Sequence, residues 1–252
     1  MEAAQPHFYL LRGLTRESGH WCDFPDFLQK KFPNAKITLL NIPGTGEYFE
    51  QVSPSRVSDF VSALRMDFLA AKETHEVAVL IAISLGGMIS AEWMRRHPND
   101  FQKTVLINTS FGCLSPWHQR MQPAALFRLV TLPSVQASQR ERTILKLVSH
   151  NQSTFEQSAN HWDAIRRERP VSLSNSLKQL KAAASFKLGG WKPSVPVLLI
   201  ASTHDRLVSV ACSRKIAETW QVPLLEHSSG GHDLPLDDPE WIADQVRAFV
   251  LV

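Results

Sequence analysis

The sequence predicts a doubly wound α/β fold, with a mostly parallel sheet of about six strands flanked by helices, and three observations carry that reading. Short apolar runs alternate with amphipathic stretches before residue 110 and again after 190, the pattern of parallel strands joined by crossover helices. The run 77–83 (Val-Ala-Val-Leu-Ile-Ala-Ile) is apolar without a break, as a strand buried on both faces must be. Between 111 and 189 the alternation stops, and a segment of that length needs structure of its own rather than a bare loop.

The elements follow in order. Residues 7–11 read as a short buried strand running into Arg12-Gly13-Leu14. Trp21, Phe24, Phe27, Leu28 and Phe32 recur at helical spacing up to Pro33. A second strand at 36–42 is closed by Pro43-Gly44-Thr45-Gly46. Ser53-Pro54 reads as an N-cap with proline at the first helical position. Val57, Phe60, Val61, Leu64, Phe68 and Leu69 then form one apolar face. The third strand, 77–83, passes at once into a helix from 85 to about 97, stopped before Pro98. Further strands are expected at 103–109, 195–201 and 222–226, and helices at 210–220 and 239–250. The interruption reads as four helices at 119–131, 134–149, 154–167 and 173–186. They would form a helical cap, or lid, at 111–189 over the C-terminal edge of a core made by 1–110 and 190–252, where open α/β sheets place their ligands.

Composition narrows the function. Lys and Arg number 27 against 24 Asp and Glu, a net charge of +3 with no dense basic run. Neither nucleic acid nor an anionic membrane is expected as a partner. Met1 to Pro6 lacks a positively charged leader region, and the longest apolar run is far too short to span a bilayer. A cytoplasmic protein is expected. Cys22, Cys113 and Cys212 are odd in number and far apart, which suits reduced, mostly buried thiols rather than a disulfide framework or a metal site.

The chemistry centres on Ala82-Ile83-Ser84-Leu85-Gly86-Gly87. A buried strand ends on a serine and a helix starts directly after it, with small residues two positions either side. Such a nucleophile elbow strains the serine backbone, exposes its Oγ above the sheet and aims the next amide at developing negative charge. A serine needs a base held in the right tautomer. Asp205 follows the fifth strand, in Thr203-His204-Asp205-Arg206, and His232 follows the sixth, in Gly230-Gly231-His232-Asp233. The order Ser, Asp, His is the one used by α/β hydrolases. Asp205 also suits an ordinary turn, and His232 a solvated loop. Gly13 permits close backbone approach, so the amides of Leu14 and Leu85 are the candidate oxyanion hole.

These motifs resemble the α/β-hydrolase superfamily across nearly the whole chain, and within it the small bacterial carboxylesterase type that includes the pimeloyl-carrier-protein methyl ester esterase. Pro43-Gly44-Thr45-Gly46 is similar to the family's D-x-P-G-x-G loop, with Asn41 in the aspartate's place, and Pro239 falls seven residues after His232, as in the family's ending. Ala82 stands for the first glycine of G-x-S-x-G. Arg12 stands for the histidine of the His-Gly oxyanion segment that reaches Trp21. The resemblance implies that the first two strands usual in the superfamily are absent here. It also implies a serine hydrolase cleaving a small-molecule carboxylic ester or thioester through an acyl-enzyme, without a cofactor.

Arg12 would either favour an anionic acyl group or tune the oxyanion hole, or else pair with a nearby carboxylate, the commoner use of such an arginine. Trp117, Phe127 and Trp162 are candidate pocket residues, although aromatic side chains at helical spacing more often form core. His20, His161 and His204 are expected at the surface or in the cap. The same triad serves carbon–carbon bond hydrolases and cofactor-free lyases, and the fold also supports ligand-binding proteins of low turnover.

Overall fold

The computed structural model describes residues 5–73 and 76–252; Met1 to Ala4, part of the leader reading, lie outside them. Six strands form one parallel sheet in the order β2-β1-β3-β4-β5-β6. They are β1 (Pro6–Leu11), β2 (Lys36–Leu40), β3 (Val77–Ile83), β4 (Lys103–Ile107), β5 (Val197–Ser202) and β6 (Leu224–His227). Strand β3 explains the sandwich. Its Val79, Ile81 and Ile83 enter one apolar core and its Ala78, Leu80 and Ala82 the other, because successive side chains point to opposite faces. Helices α1 (Phe24–Lys31) and α11 (Pro239–Val250) cover the first face, with Phe24, Leu28, Ile242 and Val246 buried. Helices α2 (Val57–Ala71), α3 (Leu85–Arg96) and α9 (Val210–Trp220) cover the second, with Phe60, Leu64, Ile89, Trp93 and Ile216. The short α10 (Leu234–Asp237) precedes α11.

Among the described residues, the stretch between β4 and β5 holds no strand. It carries α4 (Trp117–Arg120), α5 (Pro123–Thr131), α6 (Arg140–Val148), α7 (Phe155–Glu168) and α8 (Leu173–Ser185). Leu145, Leu147, Val148, Ala159 and Trp162 build a small core of their own with Ala125 and Leu236, whereas Ala182 of α8 joins the main one.

Local expectations fail where proline or a side chain redirects the backbone. The helix expected at 119–131 breaks at Gln122, held extended at ψ 137° because Pro123 disfavours a helical residue before it. The helix expected from 134 starts at Arg140. Ser134 Oγ instead donates to Thr131 O at 2.6 Å, closing the preceding turn rather than opening the next helix. Ser53 is no N-cap, since α2 begins at Val57 after Arg56. Its Oγ donates to Pro43 O at 2.7 Å and accepts from Gln179 Nε2, bracing the Pro43–Gly46 turn. β4 stops at Ile107 because Asn108 turns left-handed at φ 47°. Of the cysteines, all free, Cys212 is buried, Cys22 half-buried and Cys113 exposed, so the expectation of mostly buried thiols fails at Cys113.

Candidate active site

Ser84 joins β3 to α3 with φ 58° and ψ −120°, a conformation that costs a non-glycine residue about 1–3 kcal/mol. Close packing enforces it. The Ser84 amide donates to Ile107 O at 2.9 Å, and Thr109 Oγ1 donates to Ser84 O at 2.8 Å. A Cβ on Gly86 would lie 2.6 Å from Leu11 O and one on Gly87 2.6 Å from the Thr109 side chain, so bulk at either position would push the elbow off the sheet. Between Ala78 and Met94, Ser84 alone is not buried. Ala82 lies in the α2/α3 core, where its methyl fits.

Asp205 and His232 meet. Asp205 Oδ2 lies 2.6 Å from His232 Nδ1, while Oδ1 accepts the amides of Leu207 at 2.7 Å and Val208 at 2.9 Å. Both side chains are buried. The carboxylate is thus fixed by its own turn and in turn fixes the imidazole, leaving Nε2 as the free ring nitrogen. Ser84 Oγ makes no hydrogen bond to that ring, a contact that resting enzymes often complete only with substrate present.

Asn108, which sequence reasoning assigned merely to the end of a strand, ties the segments together. Its Nδ2 donates to His232 O at 2.8 Å and its Oδ1 accepts from the Ser202 amide at 2.8 Å. Ile107, Asn108 and Thr109 therefore anchor Ser84 and the His232 turn from one stretch of chain. Asparagine directly after an apolar strand was the available signal, since it tolerates left-handed backbone.

Gly13 sits against the elbow: a Cβ there would lie 2.9 Å from Ser84 Cβ and 3.4 Å from Leu85 N. Among the described residues, neither the Leu14 nor the Leu85 amide has a hydrogen-bond acceptor. The next amide, Thr15, donates to Gln179 Oε1 at 2.8 Å, which fixes the turn. Behind it, Asn41 accepts from the Ser18 amide at 2.7 Å and donates to Glu47 at 2.8 Å, so the residue standing for aspartate organises the loop.

The model of the Alpha/beta hydrolase family matches residues 8–245 of this sequence. The chain belongs to that family. No curated protein matches it closely enough to count as a relative. Among solved structures, an esterase from Exiguobacterium antarcticum is similar over 99% of this chain and 93% of its own, at 12% identity and a TM-score of 0.77. A type II thioesterase from the borrelidin biosynthetic cluster is similar over 99% and 94%, at 16% identity and 0.70. An esterase from a Rhodococcus species is similar over 98% and 90%, at 15% identity and 0.74. Likeness at such identities speaks for the fold alone.

The remaining candidates of this α/β hydrolase fall into different places. Arg12 is buried, and its guanidinium grips the Asp233 carboxylate with both Nη atoms, Nη1 to Oδ1 at 2.9 Å. Trp162 is fully buried in the small core, its ring tilted against His20 at 5.2 Å and under Arg16 at 4.5 Å. Trp117 and Phe127 are 64% and 71% exposed. His161 and His204 are exposed as expected, but His20 is buried. Arg16 lies 3.0 Å from its Nε2. Burial, reinforced by the Arg16 and Arg12 charges, pushes its pKa well below the ordinary histidine value. Two surface hollows, of about 150 Å³ beside Tyr48 and about 470 Å³ beside Phe186, both lie apart from Ser84.

The turn before His232 is also tied to the helical stretch. Asp237 of α10 accepts the Gly231 amide at 2.6 Å, together with Ser149 Oγ and the amides of His150 and Asn151. The Asp233 amide donates to Val148 O at 2.7 Å.

Proposed function

We propose that this chain is a serine hydrolase that cleaves a small-molecule carboxylic ester or thioester. The observation that carries the reading is the single anchoring stretch 107–109, which secures both the strained Ser84 and the turn of an Asp205-paired His232. His232 Nε2 takes the Ser84 proton as Oγ attacks the carbonyl, and the Asp205 carboxylate holds the imidazolium that forms. The amides of Leu14 and Leu85 receive the oxyanion, an arrangement in which one donor is worth about 10²–10³ in kcat. Collapse expels the alcohol or thiol with the proton from His232. Water, deprotonated by the same imidazole, then releases the acid and restores Ser84.

The chemistry asks for no cofactor. The helices at 111–189 would act as the lid over the sheet edge. Among the described residues no helix is long and apolar enough to cross a membrane, and a cytoplasmic location is part of the proposal.

A fluorophosphonate probe tests the mechanism. Wild-type protein should be labelled covalently and Ser84→Ala should not; equal labelling of both would end the assignment. Turnover across p-nitrophenyl esters of rising chain length then separates ester hydrolysis from carbon–carbon cleavage or lyase chemistry.

A further inference from the structure

We infer that the buried Arg12–Asp233 pair is a strap holding the oxyanion turn and the base turn in register, which makes both side chains positioning residues; this rests on the serine-hydrolase reading. Arg12 directly precedes Gly13-Leu14, and Asp233 directly follows His232. The two are 221 positions apart in sequence, yet Nη1 donates to Oδ1 and Nη2 to Oδ2 of the carboxylate. Each side chain is only 4% exposed, and the guanidinium lies over the Trp21 ring at 4.9 Å.

Stability alone is a poor explanation for such a pair, because desolvation offsets much of the attraction and apolar replacements often serve as well. Among the described residues, Arg12 Nε is even left buried without an acceptor. What a two-pronged contact supplies is orientation. The base turn is also held by Asp237, Asn108 and Val148, but none of those contacts reaches residues 12–14, and the fork on Asp233 supplies that link. A histidine at position 12, which the family resemblance leads one to expect, presents two ring nitrogens that diverge and cannot fork onto one carboxylate. The arginine and Asp233 are therefore matched to each other.

The test compares wild type, R12K and the apolar double variant R12M/D233L by hydrogen exchange of residues 228–233 and by kcat and KM on p-nitrophenyl butyrate. In R12M/D233L the sheet should stay protected while exchange in the base turn rises about tenfold or more. Its kcat should fall about 10- to 100-fold with KM within about twofold. R12K, which keeps the charge but not the fork, should shift both readouts the same way and provides the comparison if the double variant does not fold. A folded variant whose base turn stays protected, or whose kcat stays at the wild-type value, overturns the strap. Failure of wild-type protein to take the fluorophosphonate or turn over ester strikes the serine-hydrolase reading instead. Exchange in the base turn then decides the strap by itself, faster exchange supporting it and unchanged exchange overturning it.

Discussion

Gly13→Ala probes how closely the backbone must approach the nucleophile. The added methyl would stand 2.9 Å from Ser84 Cβ and 3.2 Å from Ile83 O. Carbon atoms rest at about 3.5–4.0 Å, so either the Gly13 turn or the elbow must retreat by roughly 0.6–1.1 Å. The elbow is held by Ile107 and Thr109, so the Gly13 turn should yield and carry the Leu14 amide with it. A displacement near 1 Å costs about 10²-fold in rate, equivalent to about 2.7 kcal/mol of transition-state stabilisation. Overpacking should lower folding stability by about 1–3 kcal/mol. The assay is kcat/KM on p-nitrophenyl acetate beside urea denaturation, with Gly190→Ala as control, because nothing lies within 4 Å of a Cβ there. Gly13→Ala turnover within twofold of wild type would refute the reasoning, whatever its stability.

Three further outcomes are expected. Asn108→Ala removes the donor to His232 O and the acceptor for Ser202 N and places alanine at a left-handed position. Stability in urea should fall by about 1–3 kcal/mol and kcat should fall with it, while intact kcat would show that the bridge is idle. Trp162→Ala should cost about 3–5 kcal/mol in the same measurement, whereas Trp117→Ala, at an exposed position, should stay within about 0.5 kcal/mol. His20 is held neutral by burial and the neighbouring arginines, and its folded pKa lies below its unfolded value near 6.5. The unfolded chain therefore binds the extra proton first. This contribution to stability is whole above about pH 6.5 and declines as pH falls toward the folded pKa. Melting between pH 7.5 and 5 should show that decline in wild type and a shallower one in His20→Gln; equal slopes would assign the acid sensitivity elsewhere.

The middle of the sheet was legible because β1, β3, β4 and β5 are buried on both faces, which makes them nearly continuous apolar runs such as Val77–Ile83. The location of Ser84, Asp205 and His232 beyond β3, β5 and β6 was legible for a related reason, as small residues and turns punctuate those runs. Contacts between distant segments left no local trace. Nothing near Arg12 announces Asp233 as its partner, and nothing near Ser53 announces Pro43 and Gln179. His20 was expected at the surface or in the cap because the Trp162 ring that packs against it lies far along the chain. The insertion was misread where one helix was run across Pro123 and the next was started at Ser134 instead of Arg140. Apolar spacing reports which side chains want cover, and not where the backbone gives way.

The carboxylate of Asp237 gathers the amide before His232 and three donors from residues 149–151. Swinging α6 and α7 outward would break the three bonds from 149–151 and the one from the Asp233 amide to Val148 O, while Asn108 and Arg12 would keep their hold on the imidazole's turn. One flank of that turn thus travels with the helical stretch and the other stays with the sheet.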